Sequence, residues 1–349
     1  MKTTDISTLG EFALIDRLTK NTKLYHKSTL KGIGDDAAVL SYADKLSLVS
    51  SDMLVEGVHF NLAYTPLMHL GYKAVVVNLS DIFAMNGKPQ QIFVNIAVSN
   101  RFPLEAVEEI YKGIHKACQL YKVDLAGGDT TSSLRGLVIS VTAVGEAEPE
   151  KVCYRKGAGI NDLICVSGDL GAAYAGLKVL ERENEIFMKN PEIQPDISSY
   201  KYIAERQLKP EARADVIELF KQLNIKPTSM IDISDGLSSE LMHICKSSDT
   251  GCYVYEEKLP IAKETKAFAE ETQIPPSIFA MNGGEDYELL FTIKQEDYKQ
   301  IETNPVITVI GHITDKEKGQ YIITPDEKEV PIQAQGWNTF DRPDEKEVS

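Results

Sequence analysis

Apolar residues along the chain alternate between period-two runs and helical stripes, and the switches between them outline the elements. Residues 9–20 predict a short amphipathic helix. Ala37 to Leu40 and Leu46 to Ser51 predict the two strands of a hairpin, the second ending in Ser50-Ser51-Asp52, with residues 53–60 following as a loop or short strand. Pro66 to Asn86 predicts a long helix with Gly87 as its stop signal. Leu70, Ala74, Val77 and Asp81 share one face of it, so Asp81 either ends the stripe in water or points into a polar site. Alternation of Ile92, Val94, Ile96 and Val98 predicts a strand from Gln91 to Ser99. Pro103 to Tyr121 predicts a helix with Leu104, Val107, Ile110, Tyr111, Ile114 and Cys118 inward. Val123 to Ala126 then leads into Gly127-Gly128-Asp129-Thr130-Thr131, and a strand from Leu137 to Val144 closes the first half, an α/β unit of split βαβ character.

The polar stretch Gly145 to Glu150 is the candidate domain boundary, dividing 1–148 from 149–349. Leu163 to Ser167 predicts a strand, and Gly168-Asp169-Leu170-Gly171 opens a helix expected to run through Leu180. Residues 181–200, with Pro191 and Pro195, read as an insert of little structure. A helix from Pro210 to Leu223 comes next, then a strand-turn-helix at Met230 to Glu240, in which Ser234 or Asp235 is expected to cap the helix. Further strands are expected at Cys252 to Tyr255, Tyr287 to Ile293, Val306 to Ile310 and Tyr321 to Thr324.

Composition narrows the function. A hydrophobic fraction of 43% supports real cores, and a formal net charge of −15 argues against nucleic acid or an anionic membrane surface as partner. An anionic substrate would then need cations beside it. Phe12, Leu14, Ile15 and Leu18 are interrupted by Glu11, Asp16 and Arg17, so no signal-peptide core is expected. The five cysteines are scattered, without a Cys-x-x-Cys pair, which fits a reducing, cytoplasmic setting better than a disulfide framework or a zinc site.

Candidate chemistry begins at Gly32-Ile33-Gly34-Asp35-Asp36, where two carboxylates follow a glycine turn and precede a strand. Taken alone, such a pair is ordinary turn chemistry. The same logic recurs at Ser51-Asp52, Asp81, Gly127-Gly128-Asp129, Asp232 with Ser234-Asp235, and Gly283-Gly284-Glu285-Asp286. Gathered by a fold, these carboxylates would repel one another unless cations bound between them, and Mg²⁺ takes such oxygen ligands. Asp235 keeps its reading as a helix cap, since Ser-Asp-Gly before a helix is common capping chemistry.

The chain resembles the thiamine-monophosphate kinase family, in the superfamily of aminoimidazole ribonucleotide synthetase and selenophosphate synthetase. The resemblance is carried by Gly-Ile-Gly-Asp-Asp-Ala-Ala at 32–38, Ser-Ser-Asp-Met-Leu-Val-Glu-Gly-Val-His-Phe at 50–60 and Ala-Val-Val-Val-Asn-Leu-Ser-Asp-Ile-Phe-Ala-Met at 74–85. Gly-Gly-Asp-Thr-Thr at 127–131, Ile-Asp-Ile-Ser-Asp-Gly-Leu at 231–237 and Gly-Gly-Glu-Asp-Tyr-Glu-Leu at 283–289 complete it, over about Glu11 to Phe340. It implies a two-domain, synthetase-like α/β fold with α+β character. The N-terminal mixed sheet would carry helices on one face and pair in a homodimer, and a C-terminal α/β domain would complete the substrate site. It implies transfer of the γ-phosphoryl of ATP to thiamine monophosphate with several Mg²⁺ ions. The implied metal ligands are Asp36, Ser50, Ser51, Asp52, Asp81, Asp129, Asp232 and Asp235. Nucleotide contacts fall at Tyr111, Gly128, Asp129, Arg155 and Ser234, and substrate contacts at His59, Glu285 and Trp337. Asp52, Asp81, Asp129 and Arg155 are the implied catalytic set.

Residue chemistry agrees with that implication. A phosphate acceptor is already ionised near neutral pH, with a second pKa of about 6, so no general base is required. No Gly-x-x-x-x-Gly-Lys-Ser/Thr loop is present, so phosphates must be held another way, with Arg155 offering a fixed cation. Core packing competes with the nucleotide role of Tyr111 and with the substrate role of His59, and Trp337 could equally clip down the C-terminal segment. A selenophosphate synthetase would carry a reactive Cys near its N-terminus, whereas no Cys precedes Cys118 here. Another ATP-dependent member of the superfamily and a non-catalytic metal-binding maturation scaffold are the alternatives.

Overall fold

The computed structural model describes residues 29–31, 34–41 and 44–334, so the helix expected at 9–20, and Trp337, lie outside the described residues. Six strands form the first sheet: β1 (Thr29–Lys31), β2 (Ala38–Ser41), β3 (Leu46–Val55), β4 (Lys88–Ser99), β5 (Asp124–Ser133) and β6 (Val138–Ala147). Their order is β1-β2-β3-β6-β4-β5, antiparallel except for the β4–β5 pair. β3 does not stop at Asp52 as its polar residues suggest. β6 pairs along it from Leu46 to Val55, and those ladder bonds outweigh the local loss of alternation. β5 likewise continues through the Gly-Gly-Asp-Thr-Thr segment as the outermost strand.

One face of this sheet is covered by α1 (Leu67–Ala84) and α2 (Leu104–Tyr121). Leu48, Ile92, Val94, Ile139 and Val141 all point there and are buried. The other face carries Met53, Phe93, Asn95, Ser140 and Thr142, with Met53 54% exposed and Phe93 39% exposed. The buried apolar positions Ile139 and Val141 therefore pack under the chain's own helices and leave the opposite face bare among the described residues. On α2, Leu104 is exposed rather than inward, because it starts the first turn beyond the sheet edge.

The second sheet has the order β13-β12-β9-β11-β7-β10-β8. Its strands are β7 (Leu163–Ser167), β8 (Ser229–Asp232), β9 (Gly251–Tyr255), β10 (Leu289–Ile293), β11 (Ile307–Thr314), β12 (Gln320–Ile323) and β13 (Glu329–Pro331). β8 and β10 are buried along their whole length, as their near-continuous apolar runs require. α3 (Ala172–Lys189) runs nine residues past Leu180, and α4 (Lys201–Leu208) comes after a short 3-10 turn at Ser198–Tyr200. The first half of the polar segment after Leu180 thus continues the helix, which ends just before Pro191. Further helices of this half are α5 (Ala214–Leu223), α6 (Leu237–Ser248), α7 (Lys263–Thr272) and α8 (Pro276–Asn282).

α1 is the hub. Every residue from Leu70 to Ala84 is buried except Asp81, because the first sheet, α2 and the second half of the chain enclose it. A helix wrapped on all sides is apolar all round, so its few polar residues need partners. Several find them in neighbouring elements: Asn78 Oδ1 accepts from the Asp52 backbone N–H at 2.9 Å, and Ser80 Oγ donates to Asp232 at 2.6 Å. Lys73 pairs with Glu285 at 2.7 Å.

Candidate active site

A cavity of about 1340 Å³ opens where the two sheets meet around α1. Its α1 wall is Lys73, Val77 and Asp81, one residue per helical turn. β2 stops pairing with β3 at Val49, so from Ser50 onward β3 presents a free edge to the cavity. Asp36, Asp52, Arg155, Asp232, Ser234, Asp235, His59 and Glu285 also line it.

Carboxylate oxygens of Asp36, Asp81 and Asp232 all lie within 4.8 Å of one another. They come from the turn before β2, from α1 and from the end of β8. Ser50 Oγ donates to Asp81, and Ser80 Oγ to Asp232. Arg155 grips Asp36 side-on, with Nε at 3.0 Å and Nη2 at 2.8 Å, and its backbone N–H reaches Asp35 at 3.2 Å. Burial and then the charges of Asp52, Asp232 and Asp36 hold the Asp81 carboxyl well above its ordinary range. Burial, then Asp36, pushes Asp232 up to about 8. Burial works against the Arg155 charge, but Asp36, with Glu240 and Asp35, more than offsets it and raises the guanidinium. An all-oxygen donor set with one cation among several carboxylates is under-neutralised, and hard divalent cations fit it.

The glycine blocks are positioned by close approach. A Cβ on Gly284 would meet the Ser234 carbonyl at 2.5 Å, because Glu285 N–H donates to that carbonyl at 2.7 Å and clamps the two loops together. Gly236 holds φ +103° at the start of α6. Gly236, rather than Ser234 or Asp235, takes the cap position of α6. Glu240 Oε1 accepts the Asp235 backbone N–H at 3.1 Å, which leaves the Asp235 carboxylate at the cavity.

Three implied residues are not brought in. Tyr111 half-packs on the α2 core side, and Gly128 and Asp129 lie on β5. Gly128 has a packing reason of its own, since a Cβ there would meet the Val94 carbonyl at 1.8 Å. Asp129 pairs with Asn95, Asn95 with Ser140 and Ser140 with Met53, so Asp129 stands three strands, about 14 Å, from β3. Ser51 sits on the bare face beside Thr142, with 2.9 Å between hydroxyls, so its side chain points away from Asp81. His59 Nδ1 accepts the Val55 N–H at 3.0 Å, which fixes the ring at the cavity wall. Two cavity residues had no sequence signal. Lys73 is an isolated charge in an apolar helix, and Gln207 lies on the unexpected helix α4.

Comparison with known proteins fits this geometry. The family described as AIR synthase related protein, N-terminal domain, matches residues 34–147. Thiamine-monophosphate kinase of Bacillus subtilis is 34% identical over 338 residues, covering 95% of this chain and 100% of its own. A solved AaThiL complex with AMPPCP and TMP superposes with a TM-score of 0.80 at 34% identity, covering 97% of this chain and 99% of that one. The hydrogenase maturation protein HypE in complex with ATP reaches a TM-score of 0.68 at 16% identity, covering 94% and 96%, a likeness of fold alone.

Proposed function

Because this chain belongs to the thiamine-monophosphate kinase family, we propose that it transfers the γ-phosphoryl group of ATP to the phosphate of thiamine monophosphate, giving thiamine diphosphate and ADP. The observation that carries this reading is the meeting of three carboxylates within 4.8 Å at a cavity large enough for two phosphorylated molecules. The acceptor phosphate is itself the nucleophile, so the chain's task is to bring two anions into line and offset their charge. Asp36, Asp52, Asp81, Asp232 and Asp235, with the Ser50 hydroxyl, would hold Mg²⁺. Bound there, the ions would supply charge neutralisation of the transferring group. Arg155 spends Nε and Nη2 on Asp36, so its Nη1 edge remains for a phosphate oxygen. Ser234 would contact the nucleotide, and His59, Glu285 and Trp337 the thiamine moiety.

Transfer is direct. Incubation with γ-labelled ATP is expected to leave the protein unlabelled, and a stoichiometric phosphoenzyme that passes its label to substrate would overturn this. The central test is ADP release from ATP on addition of thiamine monophosphate. It also separates the second reading, a maturation scaffold, which rests on the fold shared with HypE and predicts no thiamine-phosphate-dependent turnover.

We place the domain boundary at 148/149 and the protein in the cytoplasm, and no described helix is long and apolar enough to cross a membrane. A homodimer joining the bare faces of two N-terminal sheets would cover Phe93 and Met53 and give Asp129 and the Gly127–Thr131 segment a partner surface. Gly128 and Asp129, on β5, would then act at the interface, whereas Tyr111 lies with α2 on the opposite face. A fully active monomer by light scattering at micromolar concentration would rule this out.

A further inference from the structure

The α1 wall of the cavity has a different chemistry at each end. Asp81, Val77 and Lys73 all line it, and Asp81 and Lys73 are eight residues apart, about 12 Å along the helix. Asp81 belongs to the carboxylate cluster, Val77 is apolar, and Lys73 meets α4 and the 283–287 loop. Lys73 is 3% exposed, and its Nζ lies 2.7 Å from Glu285 Oε1 and donates to the Gln207 backbone carbonyl at 3.2 Å. The side-chain nitrogen of Gln207 donates to the other oxygen, Glu285 Oε2. Both oxygens of Glu285 are thus held, yet its side chain lines the cavity and is 26% exposed. A carboxylate oxygen has room for two hydrogen bonds, so a held oxygen can still accept one from a ligand. The backbone beneath it is held as well. Glu285 has φ +66° and Tyr287 φ +52°, both in the left-handed region. Their N–H groups donate to the Ser234 and Ile233 carbonyls at 2.7 and 2.9 Å, which clamps the loop in that form.

Packing alone does not call for a lysine here. A buried ion pair is commonly no more stabilising than well-packed apolar side chains in its place. On a helix enclosed by apolar contacts, Lys73 therefore points to a task at Glu285. We propose that Lys73 is a positioning residue for substrate recognition. It fixes the Glu285 carboxylate at the end of the cavity remote from the carboxylate cluster, where Glu285 meets the cationic ring end of the substrate. This rests on the kinase reading above, in which the cluster takes the phosphates and the thiazolium and aminopyrimidine rings extend away from it. Lys73, all but buried, acts through Glu285 and not by its own contact. α1 then serves as a ruler, with phosphate chemistry at Asp81 and ring recognition two helical turns away.

The test is steady-state ADP release with thiamine monophosphate, ATP and Mg²⁺ titrated separately. In Lys73→Met, KM for thiamine monophosphate is expected to rise about tenfold or more, as for loss of a hydrogen bond to a charged group, with kcat within about threefold of the parent. KM for ATP and the Mg²⁺ concentration giving half the maximal rate should hold, because both are set at the other end of α1. Glu285→Gln is expected to raise the same KM. The double variant should match Glu285→Gln alone, since Lys73 acts only through that carboxylate. Factors that multiply in the double variant would overturn the positioning role. So would an unmoved KM for thiamine monophosphate, or a joint loss in kcat and in KM for ATP, which marks a damaged fold. Should Lys73→Met fold poorly, Lys73→Gln, which keeps an N–H donor, repeats the comparison. Absence of any turnover of thiamine monophosphate by the unmodified chain sinks the kinase reading and this inference with it. Parental turnover with KM unmoved in Lys73→Met sinks this inference alone.

Discussion

Two groups of buried carboxylates are neutralised in opposite ways. In the first, among the described residues, Arg155 pairs with Asp36, and the hydroxyls of Ser50 and Ser80 donate to Asp81 and Asp232. In the second, Arg206 and Arg213 hold Glu288 at 2.9 and 2.6 Å, Ser167 Oγ donates to it at 2.5 Å, and Asp286 accepts the α3 N–H groups of Gly171 and Ala173. Burial raises a carboxyl in each group, Asp232 to about 8 and Asp286 to about 7. The neighbouring groups then act in opposite senses. Asp36 pushes Asp232 further up, whereas Arg206 and the two N–H groups pull Asp286 back. The second group is complete within the chain and fastens the Gly283–Glu288 segment to α3, α4 and β7. In the proposed reading the first is completed by a cation from outside. Burial of carboxylates alone does not mark an active site; the sign of the charge around them does.

Substitution should separate the two groups sharply. Asp81→Asn and Asp52→Asn are expected to lower turnover by about 10³-fold, as for loss of a group that stabilises transferring charge. Without Mg²⁺ the same variants should melt at or above the parent temperature, since each removes a repelling charge. Glu288→Ala should do the reverse. It leaves Arg206 and Arg213 buried without their partner and is expected to cost about 3–5 kcal/mol by denaturant unfolding, with or without Mg²⁺. Near-parental turnover in Asp81→Asn, or Mg²⁺-dependent rescue of Glu288→Ala, would erase the distinction.

pH should distinguish them next. Asp232 and Asp81 have folded-state pKa values above their unfolded ones, so the Mg²⁺-free native chain binds more protons than the unfolded chain between about pH 4 and 8. Stability of the Mg²⁺-free protein therefore falls as pH rises through that window. Added Mg²⁺ should flatten the fall by favouring the ionised carboxylates. Melting temperatures from pH 5 to 8.5 with and without MgCl₂ check this, and a slope unmoved by Mg²⁺ would detach the cluster from metal.

Much of the first group is legible in the chain, because each member sits in a short block of small and acidic residues whose order is specific. Asp81 stands out as a charge on an apolar stripe, which either ends in water or faces a polar site, and it faces the cavity. Of the second group only Asp286 shows, in the Gly283–Asp286 block, and there it reads with the metal-site carboxylates although it bonds the Gly171 and Ala173 N–H groups. Arg206 and Gln207 lie on α4, in a polar stretch whose helix is fixed by packing of Ile203 and Ala204 on α3 rather than by a strong stripe. Lys73 reads as a tolerated charge because Glu285, its partner, is remote in sequence. Period-two alternation in β4 and β6 shows two faces but not which one is covered. Ile139 and Val141 pack on helices, while the bare face is the one with Phe93, Ser140 and Thr142.

The finest comparison uses two serines in equivalent roles. Ser80 Oγ donates to Asp232 at 2.6 Å and Ser167 Oγ to Glu288 at 2.5 Å, and both residues are buried. Each hydroxyl stabilises an ionised carboxylate, so deletion should tell what that ionised form is for. In Ser167→Ala the charge of Glu288 still has two guanidinium partners, and the loss should appear as stability, about 1.5–3 kcal/mol for a hydrogen bond to a charged group. Turnover of the folded fraction should hold. In Ser80→Ala the ionised form of Asp232 loses its donor while Asp36 continues to repel it, so Asp232 titrates higher still and releases its proton less readily to a cation. Mg²⁺ affinity should fall about 10-fold, in the range seen when a residue supporting a metal ligand is removed, with the Mg²⁺-free fold little changed. Mg²⁺ titration of activity, beside denaturant unfolding, reads both effects. If Ser80→Ala loses stability and keeps its Mg²⁺ dependence, Asp232 belongs with the structural carboxylates, and the boundary between the two groups must be redrawn to leave it out.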